Sequence, residues 1–255
     1  MHGLLDAPRG MLATSVVLLW LSAYLGAYAA KTWRPPEGKD REDFTVVLTA
    51  TFTLLGLIIG FSFSMAISRF DQRKNDEEAE ANAIGTEYSR TGLLPAASAE
   101  RAKGLLRQYL DQRILFYRER DDDHLAQISD RTARLEREMW SVVESVAAVQ
   151  PTPVVALATA GMNDVLNTRA DTVAAWRNRI PEAAWLLMAV IALCCCVLTG
   201  YTAHHARPLL FAILAMVLSV AFFLIADIES PRHGLVRVVP ENLMSVATSM
   251  QEGPR

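Results

Sequence analysis

The stretch FTVVLTATFTLLGLIIGFSFSMAI runs from Phe44 to Ile67 without a charged side chain. A helix needs roughly 20 apolar residues to cross a bilayer, because each residue advances it by about 1.5 Å. Backbone polar groups find no water in the hydrocarbon, so a helix that pairs them internally is stable there. Phe44–Ile67 is therefore predicted to be a membrane-spanning helix.

Three further stretches have the same uncharged, apolar character. They are predicted as spans at residues 11–30, 183–203 and 209–226. Each has about the length that a crossing requires. The sequence therefore predicts an all-α protein with four transmembrane helices, two within residues 1–67 and two within residues 183–226.

The first stretch also resembles a secretory signal. It has Arg9, a long apolar run and the small residues Ala27 and Ala29 near its end. A run of about 20 apolar residues is long for a signal, whose apolar part has roughly 7–15 residues. We expect a spanning helix here, and signal-peptide cleavage is the alternative.

The basic residues predict the orientation. Four spans put both termini on the same side of the membrane as the middle region, residues 68–182. That side has nine Lys and Arg near span ends, and the other side has five. The nine are Arg9, Arg69, Arg73, Lys74, Arg169, Arg177, Arg179, Arg232 and Arg237, and the five are Lys31, Arg34, Lys39, Arg41 and Arg207. We expect cytoplasmic termini and a cytoplasmic middle region.

The middle region, residues 68–182, has helical periodicity throughout. The helix of the second span continues into it without proline until Gly92 and Pro95. Apolar residues then recur at helical spacing over residues 105–117, 125–146 and 154–178. We predict a cytoplasmic helical bundle inserted between spans 2 and 3. A cytoplasmic tail follows over residues 227–255, with a final helix over 241–250.

Several function classes are disfavoured by composition and motifs. The net charge is −3, so the overall charge does not favour nucleic acid as a partner. The sequence has no nucleophile elbow, no glycine-rich phosphate loop and no zinc-binding His-Glu-x-x-His. The spans have no charged residue in their interiors, where pumps need ionisable groups. We expect no enzymatic activity and no cofactor.

Other groups that could bind a metal are expected to be structural. Cys194, Cys195 and Cys196 point in different directions around one helix, so we predict that they pack as small apolar residues. The adjacent His204 and His205 are predicted to form a polar turn, with metal binding or pH sensing as the alternative. Asp121-Asp122-Asp123 is predicted to be a solvated turn.

Particular motifs resemble a family of bacterial membrane proteins described by a bestrophin-like domain. The most specific one is the run Ala81, Asn82, Ala83, Ile84, Gly85 and Thr86. Gly60 to Met65, Arg69, Leu93 to Pro95, Gly200-Tyr201, Asp227, Pro231-Arg232 and Gly234 also fit. The resemblance covers nearly the whole chain.

The resemblance implies a layout and an activity. True bestrophins are pentameric anion channels with four spans, cytoplasmic termini and a helical cytoplasmic region. The resemblance therefore implies a homo-pentamer in the lipid bilayer of a bacterial inner membrane, with an inorganic ion, plausibly an anion, as its cargo. The acidic calcium-binding run of animal bestrophins is reduced here to Asp227 and Glu229, so calcium gating is not implied.

The second span contains the candidate site. At about 100° per residue, one narrow arc of this helix contains small residues at helical spacing. They are Thr49, Thr53, Gly56, Gly60 and Ser64. One interpretation is close packing against another helix, as in Gly-x-x-x-Gly pairs. The other is that the arc lines a pore between subunits. Both interpretations require Gly56 and Gly60 to stay small.

Three apolar residues lie beside that arc, namely Phe52, Ile59 and Phe63. Under the pore interpretation they form a hydrophobic constriction that closes by excluding water. The leading hypothesis is thus a homo-oligomeric channel with span 2 around the ion path. The alternative is a non-conducting membrane scaffold or sensor whose bundle binds a partner.

Polar residues follow on the same helix beyond the span. Asn82, Glu87 and Arg90 could line a cytoplasmic vestibule. Hydrogen bonds between helices of the bundle are the favoured interpretation, because polar groups inside helical bundles are normally paired.

Overall fold

The computed structural model describes residues 8–33, 38–203 and 208–252. Within these ranges the regular elements are all helical and no strand is present. The all-α prediction is confirmed. Four helices are long and apolar enough to cross a membrane, as predicted. Arg34, His204, His205 and Arg207, which entered the predictions above, lie outside the described residues.

The helices are numbered in chain order. They are α1 Pro8–Trp33, α2 Gly38–Arg90, α3 Ala96–Arg118, α4 Asp122–Val149, α5 Pro153–Arg177, α6 Glu182–Thr202, α7 Pro208–Glu229 and α8 Glu241–Glu252. A short 3₁₀ helix, Thr91–Leu93, follows α2. The helix of the second span thus continues to Arg90 and stops where Gly92 and Pro95 predict.

The described residues divide into two compact units. The first, called here the membrane unit, takes its residues from 1–68 and 179–236. The second, called the bundle unit, takes its residues from 69–178 and 237–255. The membrane unit therefore contains α1, α6, α7 and the first part of α2, and the bundle unit contains the rest of α2 with α3, α4, α5 and α8.

The closest helix pair in the membrane unit is α1 with α6. A Cβ atom on Gly26 would overlap the carbonyl oxygen of Val197, and one on Gly200 would overlap that of Ala23. Only glycine leaves room for backbones at this separation, because every other residue carries a Cβ. Two glycines, one from each helix, therefore set the distance between α1 and α6.

The apolar core of the membrane unit also takes residues from the other helices. Leu55 of α2, Met188 of α6 and Phe222 of α7 are buried in it. Cys195 and Cys196 are fully buried in the same core, which is the environment expected of small packing residues.

The bundle unit packs α3 on α4 and α4 on α5. Its core contains Tyr109, Leu110, Met139 and Met162, each at most 1% exposed.

The predicted turn at Asp121 to Asp123 differs from the structure. Asp121 caps α4 by accepting the backbone N–H groups of Asp123 and His124, each at 3.0 Å. Acidic residues are favourable there because the first N–H groups of a helix lack partners.

Two carboxylates hold the tail, one in each unit. In the membrane unit, Asp227 accepts the backbone N–H of Leu235 at 2.7 Å and that of Val236 at 3.0 Å. In the bundle unit, Glu77 accepts the backbone N–H of Leu243 at 2.9 Å. The second contact fixes the start of α8, whose Leu243 is fully buried. The predicted final helix is present over Glu241–Glu252.

Candidate pore helix

The part of α2 that crosses the membrane is the least covered of the candidate spans. Only 6% of its most apolar stretch is buried, against 39% in α7. Leu55, Ser62 and Ala66 face the interior of the membrane unit, where they are at most 3% exposed. Most of the remaining surface of this helix is therefore free to meet lipid, water or another chain.

The small residues predicted as a packing or pore face lie together on that free surface. Thr49, Thr53, Gly56, Gly60 and Ser64 are all exposed, and they are called here the small strip. No heavy atom of the described residues lies within 4 Å of a Cβ built on Gly56 or on Gly60. The described part of the chain thus leaves the small strip uncovered.

The threonines of the strip use their hydroxyl protons within the helix. Thr49 Oγ1 donates to the carbonyl oxygen of Thr45 at 2.8 Å. Thr53 Oγ1 donates to that of Thr49 at 2.9 Å. A hydroxyl that donates to its own helix still has oxygen lone pairs that can accept or coordinate.

The three apolar gate candidates are not equally placed. Phe63 is 36% exposed. Phe52 and Ile59 are partly buried and pack against the core of the membrane unit. Of the three, Phe63 is thus the one most available to a space outside the subunit.

Apolar residues on the far side of α2, which were not predicted as site residues, are also exposed. Val47, Leu54 and Phe61 are 53%, 48% and 63% exposed. At about 100° per residue they lie roughly 120–160° from Thr49 around the helix. Their exposure together with their apolar character suits contact with lipid.

The run from Ala81 to Thr86 is mainly a packing motif. Ala81 and Ile84 are buried in the core of the bundle unit, and Ala83 packs against that core. A Cβ on Gly85 would lie 3.6 Å from the side chain of Val246 in α8. Only Asn82 and Thr86 are exposed.

A family model described as the bestrophin-like domain matches residues 16–243. The chain belongs to the bestrophin-like family. The resemblance noted from the sequence motifs is thus confirmed. No curated protein sequence matches the chain.

Solved structures share the fold of this bestrophin-like chain. One is a crystal structure of a bacterial bestrophin homologue from Klebsiella pneumoniae with a single mutation, at 14% identity and a TM-score of 0.66. The match covers 93% of this chain and 99% of that chain. Another mutant of the same homologue gives 13% identity and a TM-score of 0.68, with coverage of 96% and 98%. The four-span layout is therefore that of a bestrophin fold.

Sequence reasoning missed a buried ion pair in the bundle unit of this bestrophin-like chain. The guanidinium of Arg113 in α3 binds the carboxylate of Glu80 in α2, and both side chains are at most 2% exposed. Tyr117 and Thr172 donate their hydroxyls to the same carboxylate at 3.3 and 3.2 Å. A signal was available, since Arg113 lies four residues from both Tyr109 and Tyr117 on an otherwise apolar stripe.

The hydrogen bonds favoured for Glu87 are not found. Glu87 is fully buried, and neither carboxylate oxygen has a hydrogen-bond partner among the described residues. Burial raises the pKa of Glu87 to about 8, against a lowering effect of Arg90. Asn82, by contrast, is exposed. The polar residues of this helix therefore have different environments, although they are close in sequence.

Proposed function

We propose that this bestrophin-like chain is one subunit of a homo-oligomeric ion channel in which α2 helices surround the ion pathway. The observation that carries the proposal is the exposed small strip on a membrane-crossing helix. Glycine and hydroxyl residues that stay uncovered in the subunit suit a surface that faces other copies and water. Membership of the family supports the same activity.

Assembly follows from symmetry. Identical subunits around one axis present the same face to that axis, so one strip in each copy can line a common path. The resemblance to bestrophins implies five copies. The charge count favours cytoplasmic termini and a cytoplasmic bundle, in a bacterial inner membrane.

The gate in this proposal is apolar. An ion that passes Phe63 must lose water beside a wall that offers no compensating dipole, and that costs free energy. Phe52 and Ile59 extend the apolar wall along the same helix, and both pack against the core of the membrane unit. Smaller side chains at these positions lower the barrier.

Two observations point to opposite signs for the charge of the ion. The resemblance to bestrophins implies an anion. The hydroxyl geometry favours a cation. Thr49 and Thr53 donate their hydroxyl protons to backbone carbonyl oxygens, so only their oxygen lone pairs remain to contact an ion. Oxygen lone pairs replace the hydration water of cations.

The test is conductance of purified protein in planar bilayers. We expect the variant Phe52→Ala, Ile59→Ala, Phe63→Ala to conduct more than wild type. The control, Val47→Ala, Leu54→Ala, Phe61→Ala, also shortens three apolar side chains, on the far side of α2, and should conduct like wild type. In a sodium chloride gradient, the sign of the reversal potential distinguishes an anion from a cation.

The second candidate function is a scaffold or sensor in which the strips of two copies pack directly and leave no path. The exposed strip also permits this arrangement. Silence of wild type and of the triple variant, in preparations shown to be folded and oligomeric, would contradict the channel and support the scaffold.

A further inference from the structure

Two buried carboxylates lie seven residues apart on α2, and they differ in their hydrogen-bond partners. Glu80 and Glu87 are each 0% exposed. Glu80 is bound by Arg113 and accepts two hydroxyl hydrogen bonds. Glu87 has no hydrogen bond from any described residue to either oxygen. A buried carboxylate without donors is costly to keep ionised.

The side chain of Glu87 occupies a notch in α5. A Cβ atom on Gly161 would overlap one carboxylate oxygen of Glu87 and would lie 2.7 Å from Nη1 of Arg90. The missing side chain of Gly161 therefore makes the space that the carboxyl group fills. Ala158, Met162 and Val165 of α5 are 0% exposed, so the notch lies in an apolar part of the helix.

Two charged groups act on this carboxyl group. Arg90 lies one turn further along α2, and its charge lowers the pKa of Glu87. Asp164 belongs to α5, and its charge raises that pKa. Burial is the largest effect, and the pKa of Glu87 is raised to about 8. At neutral pH the buried side chain is therefore mostly a neutral acid.

We propose that Glu87 is a proton-binding site through which pH controls the packing of α2 against α5. With the proton bound, a neutral carboxyl group fits the notch at Gly161. Without it, the carboxylate needs water or hydrogen-bond donors, and in the closed form neither of its oxygens has one among the described residues, so the contact with α5 opens. The proposal concerns the bundle unit alone and stands whether or not the protein conducts ions.

The direction of the pH effect follows from linkage. The pKa of Glu87 is raised in the folded bundle above its ordinary value of 4.5. Between about pH 4.5 and about pH 8 the closed form keeps a proton that the open form loses, so the closed form weakens as the pH rises. Above about pH 8 both forms have lost the proton and the effect levels off. Each pH unit within that range favours opening about tenfold, because one proton is released.

The first readout is hydrogen exchange of α5 in the full chain, with intrinsic exchange rates corrected for pH. We expect protection around Gly161 in the wild type to fall about tenfold per pH unit between about pH 5.5 and pH 7.5. The variant Glu87→Gln keeps the shape of the side chain and cannot ionise, so its protection should lose the tenfold change per pH unit. Glu78→Gln alters an exposed carboxylate of the same helix and should behave like wild type.

The second readout is infrared titration, which detects the protonated carboxyl group directly and does not depend on the stability of the bundle unit. The wild type should lose a protonated-carboxyl band with a midpoint near pH 8, and Glu87→Gln should lack that component. The difference between the two proteins isolates Glu87 from Asp76 and Glu136, whose pKa values burial also raises. A midpoint below about pH 6, or α5 protection with equal pH dependence in wild type and Glu87→Gln, would overturn the proposal.

Discussion

Two stripes in the membrane unit both consist of small residues, and they have opposite surroundings. In α1, Ala23, Gly26, Ala27 and Ala30 are all buried, and the backbone of α6 lies directly against Gly26. In α2, the small strip from Thr49 to Ser64 is exposed along its length. One stripe holds the subunit together, and the other is left for a surface outside the described chain.

A stripe of small residues does not by itself determine what lies against it. Small side chains permit a backbone or a ligand to come close, but they do not say which one comes. In α1, Gly26 lies against the backbone of α6, and in α6, Gly200 lies against the backbone of α1. The second glycine therefore identifies α6 as the helix that packs on the stripe of α1. No such counterpart meets Gly56 or Gly60 among the described residues.

The largest effect is expected for Gly200→Leu. A branched side chain would overlap the backbone of Ala23, and backbone cannot move aside as a side chain can. Overpacking costs about 1–3 kcal/mol, and a backbone clash lies at or above the upper end. We expect loss of folded protein, measured as yield and thermal unfolding in detergent. An unchanged Tm would mean that α1 and α6 do not pack as described.

A different outcome is expected for Gly60→Leu, the same change on the small strip of α2. The isolated subunit should keep its helicity and its Tm, because nothing in it is displaced. Assembly should weaken by at least tenfold, which is about 1.4 kcal/mol, if copies meet at this strip. Light scattering after size exclusion measures subunit number, and circular dichroism measures helicity. Unchanged assembly would contradict direct packing of copies at this strip and would leave it facing the ion path or lipid.

Ala23→Val makes a smaller change on the buried stripe. Ala23 is 0% exposed and its carbonyl lies against Gly200. Two extra methyl groups there should cost about 1–3 kcal/mol. The matched change, Ala50→Val at an exposed position of α2, should leave the unfolding free energy of the subunit nearly unchanged. Chemical denaturation of both variants tests the contrast, and equal losses would contradict it.

The smallest effect is expected for Gly56→Ala. A methyl group there enters open space and contacts no described atom within 4 Å. Alanine favours a helix over glycine by about 0.5–1 kcal/mol, so the subunit should be unchanged or slightly more stable. A clear loss of subunit stability would show that α2 is covered within the subunit.

The sequence predicted those features that depend on one segment at a time. The spans follow from runs without charge, because the hydrocarbon thickness and the need to pair backbone groups act on each helix separately. The end of α2 at Arg90 follows from Gly92 and Pro95. The cap at Asp121 was also accessible, since an acidic residue before an apolar periodic run is a helix start signal.

Contacts between residues that are distant in sequence could not be predicted from single segments in this way. Glu80 meets Arg113 from another helix, and the sequence indicates only that Arg113 needs some partner. Gly161 makes room for Glu87, although neither residue alone indicates the notch. For the same reason the small strip could be found from periodicity, whereas its exposure required the structure. The roles of Phe52, Ile59 and Phe63 in a pore stay predictions.

The contact between Gly26 and Gly200 has a consequence for the time at which the subunit forms. The two glycines are 174 positions apart (200 − 26). At about 5–20 residues per second, a ribosome needs roughly 10–35 s to make the second after the first. During that interval α3, α4 and α5 can pack on one another in order of synthesis. The small stripe of α1 stays uncovered in the bilayer, because α6 has not yet been made. Until α6 is made, the stripe of α1 is free to pair with the same stripe of another nascent chain, which would be an assembly error.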